Sequence, residues 1–211
     1  MLMNFGISAP ASHPTAVVRR GYDAAAESYS AQRDPYENLE QLNRFEALLS
    51  PPATVLDVGC GSGVPIDRHL TQRGYSVIGI DLSPKQIDLA RSSVPEARFE
   101  VADMLELDPE QYRVDGIVSF YAIFHTPRER HGDLLATLAT FLGPGGAMLI
   151  TMGAGEYEGR EQDFHGVEMY WSHFGPTRNL QLVEEAGFAV VSEEIQDRGR
   201  ESHQVILARR L

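Results

Sequence analysis

The chain has 211 residues, 43% hydrophobic and 23% charged, with 30 acidic against 18 basic side chains and a net charge of −12. That length is enough to bury a core as one domain with at most a modest appendage. The acid excess and scattered arginines offer no basic face for gripping phosphate backbones, and no apolar run reaches the roughly 20 residues that span a bilayer, so neither nucleic acid nor membrane is expected as a partner.

Residues 1–14 lack a basic segment followed by an apolar one, so no secretory signal is expected. The single cysteine, Cys60, has no partner for an internal disulfide, which agrees with a cytoplasmic protein.

In chain order, Val18, Tyr22, Ala25 and Tyr29 fall on one face of a helix. Leu39, Leu42, Phe45 and Leu49 form a second stripe that Pro51-Pro52 stops. Residues 54–58 read as a strand. A short helix through Ile66 and Leu70 ends near Gly74, and 76–80 form the next strand. Ser83-Pro84-Lys85-Gln86 is a capping box with proline at the first helical position. Residues 98–101 and 114–120 are strands, and Thr126-Pro127-Arg128-Glu129 is a second capping box, opening a helix that runs to Leu142. Gly143-Pro144-Gly145-Gly146 ends it, and 147–151 are a strand.

Residues 153–174 show no clear periodicity and are expected to be a functional loop or lid. A helix over 176–186 has Leu180 and Val183 inward and Gly187 past its end. Two strands follow, 188–195 and 203–207, joined by a polar stretch too short for a parallel crossover and so antiparallel. Strands alternating with helices imply a doubly wound, mostly parallel α/β sheet.

The most informative run is Val55-Leu56-Asp57-Val58-Gly59-Cys60-Gly61-Ser62-Gly63, where a strand ends in a turn whose glycines let a cofactor approach the backbone. A dinucleotide fingerprint needs glycine where Val64 stands, and no Gly-Lys-Ser/Thr follows for a nucleotide-phosphate loop. Cys60, between two glycines, reads as a small packing residue rather than a nucleophile. Asp81, about 20 residues on at the end of the second strand, is placed to take two ribose hydroxyls. Leu82 can lie against an adenine face, and Asp103 ends the third strand, in position to accept from an exocyclic amine.

VLDVGCGSG, GIDLSP, VADM and FLGPGG together resemble the successive motifs of class I S-adenosylmethionine-dependent methyltransferases, closest to the small-molecule type of quinone biosynthesis. The resemblance runs from about Tyr22 to the C-terminus. It implies a Rossmann-like, seven-stranded sheet with an antiparallel last strand, an N-terminal helical cap over residues 1–50, and a cofactor-binding domain over 51–211 with a lid at about 153–174. By the same resemblance Gly59 and Gly61 approach the methionine portion of S-adenosylmethionine and Asp57 holds its amino group. Asp81 binds the ribose, while Asp103 and the Met104 backbone read adenine. The segment Tyr22-Asp23-x-x-Ala26-x-x-Tyr29 resembles the helix capping the cofactor, with Tyr29 near its carboxylate or sulfonium.

Methyl transfer needs acceptor alignment, exclusion of water and removal of any proton. The fourth strand leads into Phe120, Tyr121, Phe124 and His125, aromatics suited to a sulfonium and an imidazole suited to a general base. His173 and Tyr121 join His125 as catalytic candidates. Tyr22, Phe124, His165, Tyr170 and Trp171 are candidates for holding a small aromatic or heterocyclic acceptor, methylated on O, N or S. His125, His165 and His173 match no standard metal spacing, so no metal is expected. Two other readings remain open on the residues: an NAD-dependent oxidoreductase, against which Val64 speaks, and a non-catalytic module of the same fold, against which the three acids speak.

Overall fold

The structure, a computed structural model, describes residues 13–32, 38–197 and 202–211. The proposed absence of a signal at 1–14 and most of the polar connection at 196–202 therefore lie outside the described residues. Six α-helices are found there: α1 (Pro14–Ala31), α2 (Leu39–Glu46), α3 (Ile66–Gln72), α4 (Pro84–Ser93), α5 (His131–Phe141) and α6 (Pro176–Glu185). The strands are β1 (Thr54–Val58), β2 (Ser76–Asp81), β3 (Arg98–Val101), β4 (Val114–Ser119), β5 (Leu142–Gly153), β6 (Tyr157–Phe164), β7 (Val167–His173), β8 (Phe188–Asp197) and β9 (Ser202–Arg210).

Seven strands form one sheet in the order β3-β2-β1-β4-β5-β9-β8. The pairs among β1 to β5 are parallel, and β9 runs antiparallel to both β5 and β8. The chain leaves β1 in one direction to build β2 and β3 and returns beside β1 as β4. The crevice at that reversal is where open α/β sheets bind ligands.

Period-two alternation makes both faces apolar. Leu56, Ile117, Ile150 and Ile206 point into a core with α5 and α6, while their neighbours Val55, Val118, Leu149 and Leu207 point into one with α1, α2 and α3. A third, smaller cluster packs Ile87, Ala90 and Val94 of α4 on Phe99 of β3. No described helix is long and apolar enough to cross a membrane.

Two expectations change. Only half of the capping box at Ser83 forms, its hydroxyl accepting from the Gln86 amide at 3.2 Å while its own amide donates to Asp81 instead of the Gln86 side chain, and the one at Thr126 does not form. The Thr126 hydroxyl donates instead to the Ile123 carbonyl (2.7 Å), a short 3-10 turn (Arg128–Arg130) intervenes, and α5 starts only at His131. The Arg128 amide donates across to Ser172 of β7 at 3.0 Å.

The stretch 153–174 is also no irregular loop. It folds as the antiparallel hairpin β6–β7, turned by His165 and Gly166 at φ 51° and 81°. Positive φ at both central residues is the two-residue hairpin turn that matches strand twist. α1 lies across β7, with Gly21 against the Met169 side chain.

Candidate active site

The turn after β1 is held by its own backbone. The Gly59 and Cys60 amides both donate to the Ile80 carbonyl, at 2.8 and 3.0 Å. A Cβ on Gly59 (φ 82°) would stand 2.3 Å from that of Ala122, so the turns after β1 and β4 meet here and only glycine fits. A Cβ on Gly61 would meet nothing closer than 3.8 Å, which leaves that stretch of backbone open to a ligand.

Asp81 braces the same turn. Its carboxylate accepts from the Gly61 amide at 2.9 Å and from the Ser83 amide at 2.8 Å. Burial raises its pKa to about 6, against the lowering effect of those amides. Asp103 accepts from the Leu105 amide at 3.0 Å and so starts the 3-10 turn Met104–Glu106.

Gly59, Gly61, Asp81, Leu82, Asp103 and Met104 line one cavity, with Phe120 and His125 on its other side. Tyr22 and Tyr29 of α1 close it, leaving about 70 Å³. A smaller cavity at the back is bordered by Asp57, Gly61, Tyr29 and Phe120. α1 is fastened in place by Asp23, which accepts from the Ser83 hydroxyl at 2.6 Å.

Beneath the turn lies a feature that sequence reasoning missed. Asp67 in the first turn of α3 is fully buried and faces the buried Asp57. Burial first, and the Asp57 carboxyl second, push Asp67 well above the usual carboxylate range. The signal was present as an acid on the buried stripe of α3, between Ile66 and Leu70. Burial and the acids Asp67, Asp81 and Asp57 likewise raise the Cys60 thiol well above its ordinary value, which removes thiolate chemistry.

On the other side, His125 sits in the 3-10 turn Ile123–His125 and is 5% exposed. Nδ1 donates to the Tyr170 carbonyl at 2.8 Å, which makes Nε2 the acceptor for the Tyr22 hydroxyl, also at 2.8 Å. Burial lowers the imidazole to about 4, with the Tyr170 carbonyl opposing. Aromatic rings enclose the pair. Trp171 lies 4.3 Å from His125 between centroids, and Phe164 lies 5.8 Å from Tyr22.

The remaining candidates separate. The Tyr121 hydroxyl donates to Asn38 at 3.1 Å and its ring packs on His203, while the residue also lines the first cavity beside Phe120. Tyr170 serves through its carbonyl, because its hydroxyl is taken by Glu158 at 3.0 Å. His165 occupies the hairpin turn against Tyr29, at 5.6 Å between centroids. His173 and Phe124 line a second cavity instead, together with Trp171. Among the described residues, no cluster of three His, Cys, Asp or Glu is arranged to hold a metal.

Residues 55–146 match the protein family described as methyltransferase domain. Over these residues the chain is similar to a methyltransferase domain. Its sheet order, with the antiparallel β9 between β5 and β8, is that of the class I, Rossmann-like methyltransferases.

The domain is similar to trans-aconitate 2-methyltransferase of Methylobacterium nodulans, 33% identical over 105 residues, which are 49% of this chain and 40% of that protein. It is also similar to ribosomal RNA small subunit methyltransferase C of Alcanivorax borkumensis, 36% identical over 111 residues, covering 48% of this chain and 33% of that one. The chain thus spans less than half the length of these relatives.

The 1,6-didemethyltoxoflavin-N1-methyltransferase of Burkholderia thailandensis, solved with bound 1,6-didemethyltoxoflavin and S-adenosylhomocysteine, has the same fold. Its TM-score is 0.74 at 23% identity, covering 97% of this chain and 93% of that one.

Proposed function

We propose that the chain transfers a methyl group from S-adenosylmethionine to O, N or S of a small aromatic or heterocyclic molecule. The observation that carries this reading is the single cavity along which the open Gly61 backbone, Asp81 and Asp103 follow one another on successive strand ends. That order suits an amino-acid end, a ribose and an adenine. Asp57 beside the back cavity supplies the anion for an ammonium group.

The residues fit the cofactor in kind, with Tyr22 and Tyr29 of α1 closing the cavity that would hold it.

When bound, the sulfonium supplies an electrophilic methyl, and its sulfur keeps the electron pair of the broken bond. The chain's own part is to aim the acceptor and keep water out. Nε2 of His125 offers a lone pair at the position the Tyr22 hydroxyl now takes. An imidazole near 4 is a poor store for a proton at neutral pH, so His125 orients the acceptor's O–H, N–H or S–H and relies on an acceptor that loses its proton readily. Phe120, Tyr22 and Tyr29 shield the reacting centre.

Calorimetric titration tests the donor. S-adenosylhomocysteine is expected to bind more tightly than NADH, and the reverse order would give the protein to the oxidoreductases.

A further inference from the structure

A second cavity of about 370 Å³ opens at the carboxyl end of β5, beyond the side chains that wall the cofactor side. Its volume falls in the range of about 300–1,000 Å³ usual for small-molecule sites. The hairpin β6–β7 roofs it with Glu161, Trp171 and His173, and Phe124 lies on its inner wall.

Part of the wall is an aromatic stack. Phe124 stacks between Trp171 and His203, with ring centroids 5.4 and 5.2 Å away and interplanar angles of 25° and 27°. The cavity's polar groups are specific too. His173 directs Nδ1 at the Gly155 carbonyl, which can only accept, so Nδ1 carries the hydrogen and Nε2 is an acceptor. Glu161 is in no ion pair among the described residues and adds a carboxylate. Two acceptors, the Glu161 carboxylate and His173 Nε2, therefore stand beside a stacked aromatic wall.

This cavity adjoins the cofactor side through a partition one ring thick. Phe124 and His125 are consecutive in one turn, the first lining this cavity and the second the other. Trp171 touches both rings.

We infer that the second cavity holds the body of the methyl acceptor, and that the acceptor is a planar fused heterocycle with an amino–oxo edge. Its amino group faces Glu161 and its ring N–H faces His173. The far edge of such a ligand meets the Trp171–His125 partition, and rotation of one side chain there joins it to the methyl site. This assignment rests on the methyl-transfer reading above.

Trp171 is the only tryptophan in the chain, so its emission reports on this cavity. S-adenosylhomocysteine is bound first and followed by calorimetry, and failure at that step counts against methyl transfer itself. Guanosine, which carries the amino–oxo edge, is then titrated into the saturated protein, with inosine, which lacks the 2-amino group, as the control. Saturable quenching by guanosine is expected, at least tenfold tighter than by inosine. Glu161→Gln should weaken guanosine about tenfold, leave inosine unchanged and retain wild-type S-adenosylhomocysteine affinity, which certifies its fold. If S-adenosylhomocysteine binds but guanosine gives no saturable response, or guanosine and inosine respond alike, the assignment is overturned.

Discussion

The two sides of the crevice are built by different means. The donor side is made of backbone: the Gly59 and Cys60 amides on the Ile80 carbonyl, the Gly61 amide on Asp81, and short turns at the ends of parallel strands. The acceptor side is made of side chains from elements far apart in sequence, with Tyr22 of α1 meeting His125 after β4 and both enclosed by Trp171 and Phe164 of the hairpin. A backbone cradle is fixed once the sheet forms, whatever the acceptor. A cluster of side chains changes with each substitution, and its specificity can change while the fold stays the same.

The sharpest test of the contrast is Asp81→Ala. Two hydroxyl-to-carboxylate hydrogen bonds at roughly 1.5 kcal/mol each put the expected loss of S-adenosylhomocysteine affinity at about a hundredfold. The variant should still unfold cooperatively, because Asp81 lies at the end of a strand whose core residues are unchanged. Wild-type affinity would break the donor assignment.

On the acceptor side, His125→Asn is expected to lower kcat by about thirtyfold to a hundredfold while S-adenosylhomocysteine affinity stays within about twofold. Tyr22→Phe, which frees Nε2 without opening a cavity, should move kcat less than His125→Asn does. Parallel losses in cofactor affinity and turnover would erase the distinction between the two sides.

The same contrast decides what could be read in the chain beforehand. The donor side is local, since VLDVGCGSG and GIDLSP each put their functional groups within a few residues, and the strand ends then bring them together. The strands themselves follow from apolar runs set between turns. The acceptor side depends on pairings that no local pattern encodes. Residues 153–174 show no single period because β7 is buried on both faces from Met169 to Ser172 while β6 has no buried residue on either. Its turn signal, His165-Gly166, was available and went unused. Tyr121 adds a link of the same kind: it lines the first cavity, yet its hydroxyl is held by Asn38 of a distant segment.

The acceptor-side packing also carries a pH signature. His131, fully buried at the start of α5 with Nε2 donating to the Thr126 carbonyl at 3.2 Å, is lowered by burial to about 4. The folded state thus holds it neutral while the unfolded chain protonates near 6.5. Between those values the unfolded state binds more protons, so stability is present above pH 6.5 and drains away as pH falls toward 4. His125 adds in the same direction, whereas Asp81, raised in the fold, opposes it by favouring the folded state at low pH. In His131→Gln the fall in Tm from pH 6.5 to 4.5 should be shallower than in the wild type by roughly 5 °C, the equivalent of about 2 kcal/mol in a chain of this size. Equal slopes would mean that His131 is charged in the fold.

The smallest effect, and the finest test of the donor side, belongs to Asp67. Two buried carboxyls in contact cannot both ionise, and the more deeply enclosed Asp67 keeps the proton. The pair then presents one negative charge, that of Asp57, to an ammonium group. Asparagine has the shape of a protonated aspartate and the same lack of charge. Asp67→Asn should therefore change S-adenosylhomocysteine affinity at pH 7 by no more than about threefold, and Asp67→Ala by more, because it removes the group that orients Asp57. A large loss with asparagine would mean that Asp67 is ionised. The charge beneath the glycine turn would then belong to the side chains as much as the cradle belongs to the backbone, and the division between the two sides would not extend below the surface of the cavity.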